Sequence, residues 1–391
     1  MTSVVASSLD DDLQLIEDAV ADRCREFGDE YWSACDEDHR FPWEFYASMA
    51  EGGWVGIAFP EEYGGGGRGI REAAVMMRAI AASGAAMNGC SALHLTVFGL
   101  QPLVRYGSPE LKEAFLPRAA AGDLHVAFGV TEPTAGTDTS QVRTRATSTA
   151  DGYIVNGQKI WTSKALEAEV VLLLARTDDA TPDDRFGGLT LLLADLDPEH
   201  VTIRPIAKSG RNAVASCETY YDDLPVSRSR IVGTEGKGFS HLLAGLNGER
   251  ILIAAEAVGI GMAALRRAVG YATERMVFDR AIGSNQAIAH PLADAYVRLM
   301  AAWELTMLAA RNYDAGLPCG AEANAAKYLA AEAGYLAADR AIQTHGGLGY
   351  AREYHVERYW REARLMRLAP VSQEMSMNFI AQNVLGLPRS Y

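Results

Sequence analysis

The pattern of hydrophobic and polar positions divides the chain into three parts. Between residues 8 and 122 apolar residues recur at every third or fourth position, which indicates amphipathic helices, and Ser108 followed by Pro109 marks the start of one of them. From about 124 to 236 short β-rich runs alternate with turn residues. From 238 onward the helical spacing returns, and we predict helices at about 240–277, 285–315, 320–345, 354–366 and 371–384.

Two turn signals refine the middle part. Asp151-Gly152 and Asn156-Gly157 each lie between alternating segments, and such pairs are typical of two-residue β-hairpins. We therefore predict an antiparallel β-domain there. The order helical, β, helical predicts an α+β chain with domains at 1–123, 124–236 and 237–391, and it excludes the alternating strands and helices of a dinucleotide-binding fold.

Composition limits the class of protein. The 391 residues are 49% hydrophobic and 22% charged, as expected of a globular protein with a large core. The net charge of -14 argues against a nucleic-acid partner, which needs a basic surface. The five cysteines lack metal-ligand spacing, so we expect no metal site and a reducing, cytoplasmic location. We see no signal peptide and expect no membrane span.

An acid beside a base lies near the start of a predicted apolar helix. The segment "LAGLNGERILIAAEAVGIG", residues 243–261, is apolar on nearly every face yet carries Glu249 and Arg250. Charged side chains are seldom fully buried unless they are paired or used, because desolvation costs several kcal/mol. This stretch alone favours a Glu249–Arg250 contact at a frayed helix start over a functional carboxylate.

Two stretches in the β-rich region have the chemistry of a ligand site. In "AFGVTEPTAGTDTS", residues 127–140, Gly136 allows a close backbone approach and several hydroxyl groups occur in one loop. In "NGQKIWTSKA", Trp161 precedes Thr162 and Ser163 near the end of a predicted strand. An aromatic face beside hydroxyl donors suits an isoalloxazine ring, although a tryptophan more often belongs to the core.

Two later stretches complete a specific set. "YATERMVFDRAIGSNQ" places Arg275, Phe278 and Gln286 at fixed offsets, and "IQTHGGLGYAREYHVERYWREAR" follows in the C-terminal region. With these four motifs, T-E-P-x-A-G-[ST]-D, K-x-W-x-[ST], R-x-x-F-(seven residues)-Q and G-G-x-G-Y, the chain from about Leu13 onward resembles the acyl-CoA dehydrogenase family.

The resemblance implies a fold, a cofactor and partners. It implies an N-terminal helical domain, a middle β-domain, a C-terminal four-helix bundle, bound FAD, a homotetramer built as a dimer of dimers, an acyl-CoA substrate and an electron-transfer flavoprotein as acceptor. By similarity, the residues that line the flavin are Phe128, Val130, Thr131, Gly136, Thr137, Trp161, Thr162 and Ser163. Those that hold the rest of FAD from a neighbouring subunit are Arg275, Phe278, Gln286, Gln343, Gly346 and Gly347. Ser372 and Glu374 match further FAD contacts, and Thr137, Asn247 and Arg250 match substrate contacts.

The resemblance also bears on the catalytic base. Many members carry it nine residues after an arginine that aligns with Arg361, but that position is Pro370 in this chain. A branch that includes isovaleryl-CoA dehydrogenase carries the base directly before an arginine on the first bundle helix, which corresponds to Glu249. We therefore predict Glu249 as the base, with Glu374 as a minor alternative. Burial should raise the pKa of Glu249 and Arg250 should oppose this.

Pro370 keeps other functions open. Proline has no N–H, whereas family members donate one from this position to the thioester oxygen. Either Val371 supplies the donor, or the site is built differently. The main hypothesis is FAD-dependent α,β-dehydrogenation of an acyl-CoA. The alternatives are a specialised oxidase, oxygenase or carrier-protein dehydrogenase, and a non-catalytic flavin-binding subunit.

Overall fold

The computed structural model describes residues 9–389; the predicted helical start at Ser8 and the outermost domain limits lie outside this range. From residue 9 onward, seven α-helices precede the strands of the middle region, and the side chain of Ser108 caps the seventh as predicted, accepting a hydrogen bond from the Leu111 N–H at 3.2 Å. These helices are α1 Asp11–Cys24, α2 Asp29–Glu37, α3 Trp43–Glu51, α4 Ile70–Ile80, α5 Ala86–Val97, α6 Gln101–Tyr106 and α7 Pro109–Ala121.

The middle region forms a seven-stranded sheet. Its strands are β1 Val126–Gly129, β2 Arg145–Ser148, β3 Gly152–Ser163, β4 Val170–Arg176, β5 Leu189–Asp195, β6 Val201–Pro205 and β7 Ser216–Ser227. They follow the order β1-β4-β2-β3-β7-β6, with β5 also paired to β4. The purely antiparallel prediction is wrong, because β1 and β2 both pair parallel to β4. The sheet is mixed because long connections bring non-neighbouring strands together, a feature that local turn signals do not encode.

One hairpin signal is confirmed and the other is not. The Asp151-Gly152 turn joins β2 to β3 as an antiparallel hairpin. Asn156-Gly157, in contrast, lies inside β3 at a register shift against β7, so it forms a bulge. Gly157 has φ +151°, and a Cβ atom there would lie 2.7 Å from the Thr144 Cα. The glycine therefore permits a close backbone approach within a strand.

The C-terminal region is a helix bundle whose helices lie close to the predicted spans. They are α8 Gly238–Glu274, α9 Gln286–Asp314, α10 Gly320–His345, α11 Val356–Leu365 and α12 Gln373–Phe379; the short strands β8 Met276–Val277 and β9 Arg280–Ala281 follow α8. Helices α8 and α10 approach closely, since a Cβ at Gly261 would lie 2.9 Å from the Gly334 Cα. Within residues 9–389, no helix has both the length and the apolar character needed to cross a membrane.

Candidate active site

Glu249 lies about three turns inside α8, well away from the start of the helix. Its side chain is buried at 8% exposure, and within residues 9–389 its carboxyl group has no hydrogen bond or ion pair. Arg250 instead donates to the Asn247 Oδ1 at 2.9 Å. The interpretation as a Glu249–Arg250 contact at a frayed helix start is therefore wrong. A buried carboxyl group without hydrogen bonds is free to exchange a proton with a ligand.

The surroundings of Glu249 shift its acidity. Burial raises its pKa from 4.5 to about 7, because the charged form loses hydration. Glu256 adds to this rise, whereas His94, Arg250 and Lys327 oppose it. The sequence does not decide between burial and Arg250, and in the structure burial is the larger effect on the pKa of Glu249. A pKa near 7 is suited to proton transfer at neutral pH.

Helix α5 packs along the stretch of α8 that carries Glu249. The Nδ1 of His94 contacts the Glu256 carboxylate at 2.7 Å, and a Cβ at Gly245 would lie 3.8 Å from the Phe98 ring. Glu249 lies between these two contact points along α8. Phe98 in turn lies 5.8 Å from the ring of Phe128 on β1. The carboxyl group therefore belongs to a region formed by both helical domains and the edge of the sheet.

The loop after β1 is braced from within. The Glu132 carboxylate accepts hydrogen bonds from the backbone N–H groups of Arg143 and Thr144, at 2.8 and 2.9 Å. It also forms a buried ion pair with Lys159 on β3 at 2.8 Å. These contacts fix the loop that carries Thr131, the exposed Gly136 and the exposed Thr137 against β3. The glutamate of the T-E-P motif thus has a structural role.

The end of β3 presents a flat aromatic surface. Trp161 is 53% exposed and has φ +62°, an uncommon backbone conformation for a tryptophan. The buried Thr162 hydroxyl contacts the Thr219 hydroxyl at 3.2 Å, and Ser163 accepts a hydrogen bond from the half-buried Arg211 at 2.9 Å. No described atom lies within 4 Å of a Cβ built at Gly136. Phe128 in β1 and Val130 directly after it are half-buried.

The segment at Pro370 lies beside a buried lysine on α10. Lys327 donates to the carbonyl oxygen of Val371, and burial lowers its pKa to about 8 even though Glu374 and Glu249 favour its charged form. Within the described chain, the Val371 N–H donates no hydrogen bond to a protein group. The side chain of Ser372 caps α12, accepting from the Met375 N–H at 3.3 Å. Val371 can therefore offer an N–H where Pro370 cannot.

The alternative base, Glu374, has a different environment. It is exposed in the first turn of α12, and hydrogen bonding to the backbone there and to Ser372 lowers its pKa. An exposed acid with a lowered pKa binds a proton weakly at neutral pH. Burial and pKa both favour Glu249 over Glu374 as a proton acceptor.

The remaining predicted FAD contacts cluster at the opposite end of the bundle. Arg275 is exposed, and within residues 9–389 its guanidinium has no ion pair or hydrogen bond; Phe278, between β8 and β9, is 91% exposed. Gln286, Gln343, Gly346 and Gly347 are also exposed. Glu274, the last residue of α8, follows Glu249 by 25 residues, so the two residues lie about 38 Å apart along the helix axis. The structure therefore does not bring the two sets of predicted contacts together within one chain.

Comparison with known proteins identifies the family. Residues 10–123, 127–224 and 236–385 match the N-terminal, middle and C-terminal domains of acyl-CoA dehydrogenase. The acyl-CoA dehydrogenase fadE12 of Mycobacterium bovis is 38% identical over 385 residues, which cover 97% of each chain. The chain belongs to the acyl-CoA dehydrogenase family, which consists of FAD-dependent oxidoreductases.

Two further similarities extend the comparison. The solved structure of glutaryl-coenzyme A dehydrogenase in complex with glutaryl-CoA superimposes with a TM-score of 0.93 at 29% identity, covering 99% of this chain and 98% of that chain. The 3-(aryl)acrylate reductase of Clostridium sporogenes is 35% identical over 355 residues, which cover 90% of this chain and 92% of the reductase. The family thus includes relatives whose names describe oxidation and relatives whose names describe reduction.

The residues present fit the family cofactor. The exposed face of Trp161 can accept a planar ring, and Ser163 offers a hydroxyl two residues away. The loop that carries Gly136 is joined to this strand where the Ile160 N–H donates to the Thr131 carbonyl at 2.9 Å, and there is open space around Gly136. At the far end, the free guanidinium of Arg275 can meet a pyrophosphate bidentately. The individual contact residues remain predictions.

Sequence reasoning missed three buried groups around Glu249. They are His94, Glu256 and Lys327, each of which affects its proton affinity. Glu256 could have been found by the signal that drew attention to Glu249, since it too is an acid within the apolar stretch of α8. His94 and Lys327 gave no comparable signal, because they lie on other helices.

Proposed function

We propose that this chain oxidises a saturated acyl-CoA to the trans-2-enoyl-CoA, with Glu249 as the base that removes the α-proton. The observation that supports this most directly is the environment of Glu249. Its carboxyl group is buried in an apolar helix, lacks a hydrogen bond within residues 9–389 and has a pKa of about 7. Such a group accepts a proton from a weakly acidic carbon more effectively than a solvated carboxylate does.

Two nearby polar groups can orient the substrate. Asn247 and Arg250 hydrogen-bond to each other at 2.9 Å on the same turn of α8 as Glu249. The Arg250 Nε is buried without a partner among the described residues. An unpaired buried donor favours a polar ligand that can satisfy it. We assign the pair, with the exposed Thr137, to the thioester and its adjoining chain.

Negative charge that develops on the thioester oxygen needs a donor. We assign this donor to the Val371 N–H, which makes no hydrogen bond to the described protein. Lys327 fixes the orientation of this segment by donating to the Val371 carbonyl. A preorganised donor at this position lowers the cost of the enolate-like charge. The positive charge of Lys327 adds to that stabilisation.

Bound FAD would supply the acceptor for the hydride of the β-carbon. The chain provides Trp161, Thr162 and Ser163 on one side, and a neighbouring subunit provides Arg275, Phe278 and the α10 end at 343–347. The separation of about 38 Å along α8 supports this division between subunits. We therefore propose that the FAD site is shared between subunits. By resemblance to the family, we propose that the subunits assemble as a homotetramer built as a dimer of dimers and that the acceptor is an electron-transfer flavoprotein. The five free cysteines support a cytoplasmic location.

A second candidate function is the reverse reaction, reduction of a 2-enoyl thioester. The 35% identity to a 3-(aryl)acrylate reductase favours considering it. With a pKa of about 7, Glu249 can also deliver a proton to the α-carbon. The direction then depends on the electron donor or acceptor rather than on the base.

The product mass tests the proposed function. Purified flavoprotein is incubated without oxygen with ferrocenium as acceptor and with butyryl-, isovaleryl-, octanoyl- or palmitoyl-CoA. We expect one class of acyl-CoA to lose two hydrogens with wild-type protein and with Glu113→Gln, an exposed control on α7. Glu249→Gln should not convert it. Conversion only of enoyl-CoA with dithionite-reduced protein would assign the reverse reaction. In a separate incubation with oxygen and without ferrocenium, oxygen consumption would identify an oxidase. No conversion of any CoA ester in either direction would overturn the proposal.

A further inference from the structure

A buried ion pair lies two helical turns from Glu249. His94 and Glu256 are 7% and 0% exposed, and the His94 Nδ1 lies 2.7 Å from the Glu256 Oε1. The other oxygen of Glu256 has no hydrogen-bond partner among residues 9–389. Burying a carboxylate and an imidazole carries a desolvation cost, so a buried pair of this kind is weak evidence for a gain in stability.

The geometry directs this pair toward the base. Glu249 and Glu256 are seven residues apart on α8, so they lie on the same face, about 10 Å apart along the axis. His94 belongs to α5, which meets α8 at Glu256, and Phe98, directly after the last residue of α5, lies near Gly245 on the other side of Glu249. The imidazole therefore lies over the helix face that carries both carboxyl groups.

Helix α5 is held firmly in this position. The buried Glu362 on α11 accepts hydrogen bonds from the backbone N–H groups of Met87 and Asn88 in its first turn, at 2.5 and 3.3 Å. Lys164 donates to the Ala92 carbonyl at 2.9 Å, two residues before His94. Anchors at both points leave the imidazole little freedom to move away from α8.

The charges around the two groups determine the sign of the effect. Burial alone would lower the pKa of His94, but Glu256 and, more weakly, Glu249 raise it above its ordinary value against the opposing charge of Arg211. Around Glu249, the positive groups are His94 on α5, Arg250 on α8 and Lys327 on α10, and the negative group is Glu256. An imidazolium facing Glu249 stabilises its carboxylate form.

We propose that His94, oriented by Glu256, is a positioning residue for proton transfer: as an imidazolium it stabilises the carboxylate of Glu249 and so sets the pH above which the base is active. This inference rests on the proposed role of Glu249. His94 and Glu249 each affect the other's charge, so the observable is the acid limb of the reaction's pH profile rather than the titration of either group alone. A pair with only a structural role would leave that limb in place.

The test measures anaerobic flavin reduction by the best CoA ester between pH 5 and 9. We expect His94→Gln to move the acid limb upward by about one pH unit, while the rate above the limb stays within a few-fold of wild type. Glu256→Gln should also move the acid limb upward, but by less. In this variant His94 loses the carboxylate that favours its charged form, and the loss of the imidazolium outweighs the loss of the repulsion between Glu256 and Glu249. His125→Gln is the matched control, since His125 is also buried but has no carboxylate partner in the described chain.

The outcomes separate the two proposals. An unmoved limb in folded His94→Gln, with Glu249→Gln inactive, would overturn this inference and leave the base intact. Flavin reduction at the wild-type rate in Glu249→Gln would overturn the proposed function itself. If His94→Gln fails to fold, Glu256→Gln decides, and an unmoved or lowered limb in that variant contradicts the proposal.

Discussion

Replacing Glu249 with glutamine should stabilise the protein at high pH while removing its activity. The physical reason is the raised pKa, about 7 in the folded state against 4.5 for an unperturbed glutamate. The folded state binds this proton more tightly than the unfolded chain. The stability associated with the proton is therefore fully present below about pH 4.5 and is lost as the pH rises through about 7.

The expected magnitude follows from the shift. At 1.36 kcal/mol per pKa unit, moving from 4.5 to about 7 corresponds to about 3 kcal/mol of destabilisation at pH 8 and about 1 kcal/mol at pH 5. Glutamine has no charge to desolvate, so the variant avoids this cost at both pH values. Any packing cost of the amide is the same at both pH values and cancels in the comparison.

Thermal unfolding of the holoprotein measures this effect. From an entropy of unfolding of roughly 2 cal/mol/K per residue, 3 kcal/mol corresponds to about 4 °C in melting temperature for a chain of this length. We expect the gain of Glu249→Gln over wild type to be about 4 °C at pH 8 and about 1 °C at pH 5. Glu113→Gln on the exposed face of α7 is the control and should show no such difference. An equal gain at both pH values would refute the reasoning.

Three further predictions follow from other parts of the structure. Lys327→Met should slow flavin reduction by about 10- to 100-fold in stopped-flow measurements, because the Val371 carbonyl loses a charged donor; an unchanged rate would contradict this. Phe278→Asp should lower both the mass in light scattering and the flavin-to-protein absorbance ratio, whereas Leu15→Asp, exposed on α1, should change neither; an intact tetramer with full flavin would refute the shared site. Gly157→Ala should cost about 1–3 kcal/mol in denaturant unfolding, because a Cβ would lie 2.7 Å from a backbone atom; no loss would argue against the bulge.

The helical parts of the fold could be predicted because their signals are local. Apolar spacing located α8, α9 and α10 to within a few residues, and Ser108 marked the cap of α7. The pairing of the middle strands could not be predicted in the same way. β4 pairs parallel with two strands that precede it, and no local residue pattern specifies which strands meet. The Asn156-Gly157 pair does not distinguish a turn from a bulge, because both favour a glycine.

The site was predictable in part. Glu249 could be singled out because a charge in an apolar helix is unusual, but the sequence could not decide whether burial or Arg250 dominates its pKa. That balance depends on His94 and Lys327, which are distant in sequence and meet Glu249 only through the packing of α5 and α10 on α8. The free N–H of Val371 was one of two possibilities for replacing the donor lost at Pro370, and it depends equally on tertiary packing.

The central claim is that Glu249 is the base of an acyl-CoA dehydrogenase. Its most direct test is stopped-flow reduction of the flavin by the best CoA ester at pH 8, comparing wild type, Glu249→Gln and Glu374→Gln, each with its flavin content measured. We expect Glu249→Gln to bind flavin fully yet reduce it at least about 100-fold more slowly, and Glu374→Gln to keep most of the wild-type rate once corrected for flavin content. Rapid reduction in Glu249→Gln, with loss of reduction in flavin-replete Glu374→Gln, would contradict the account.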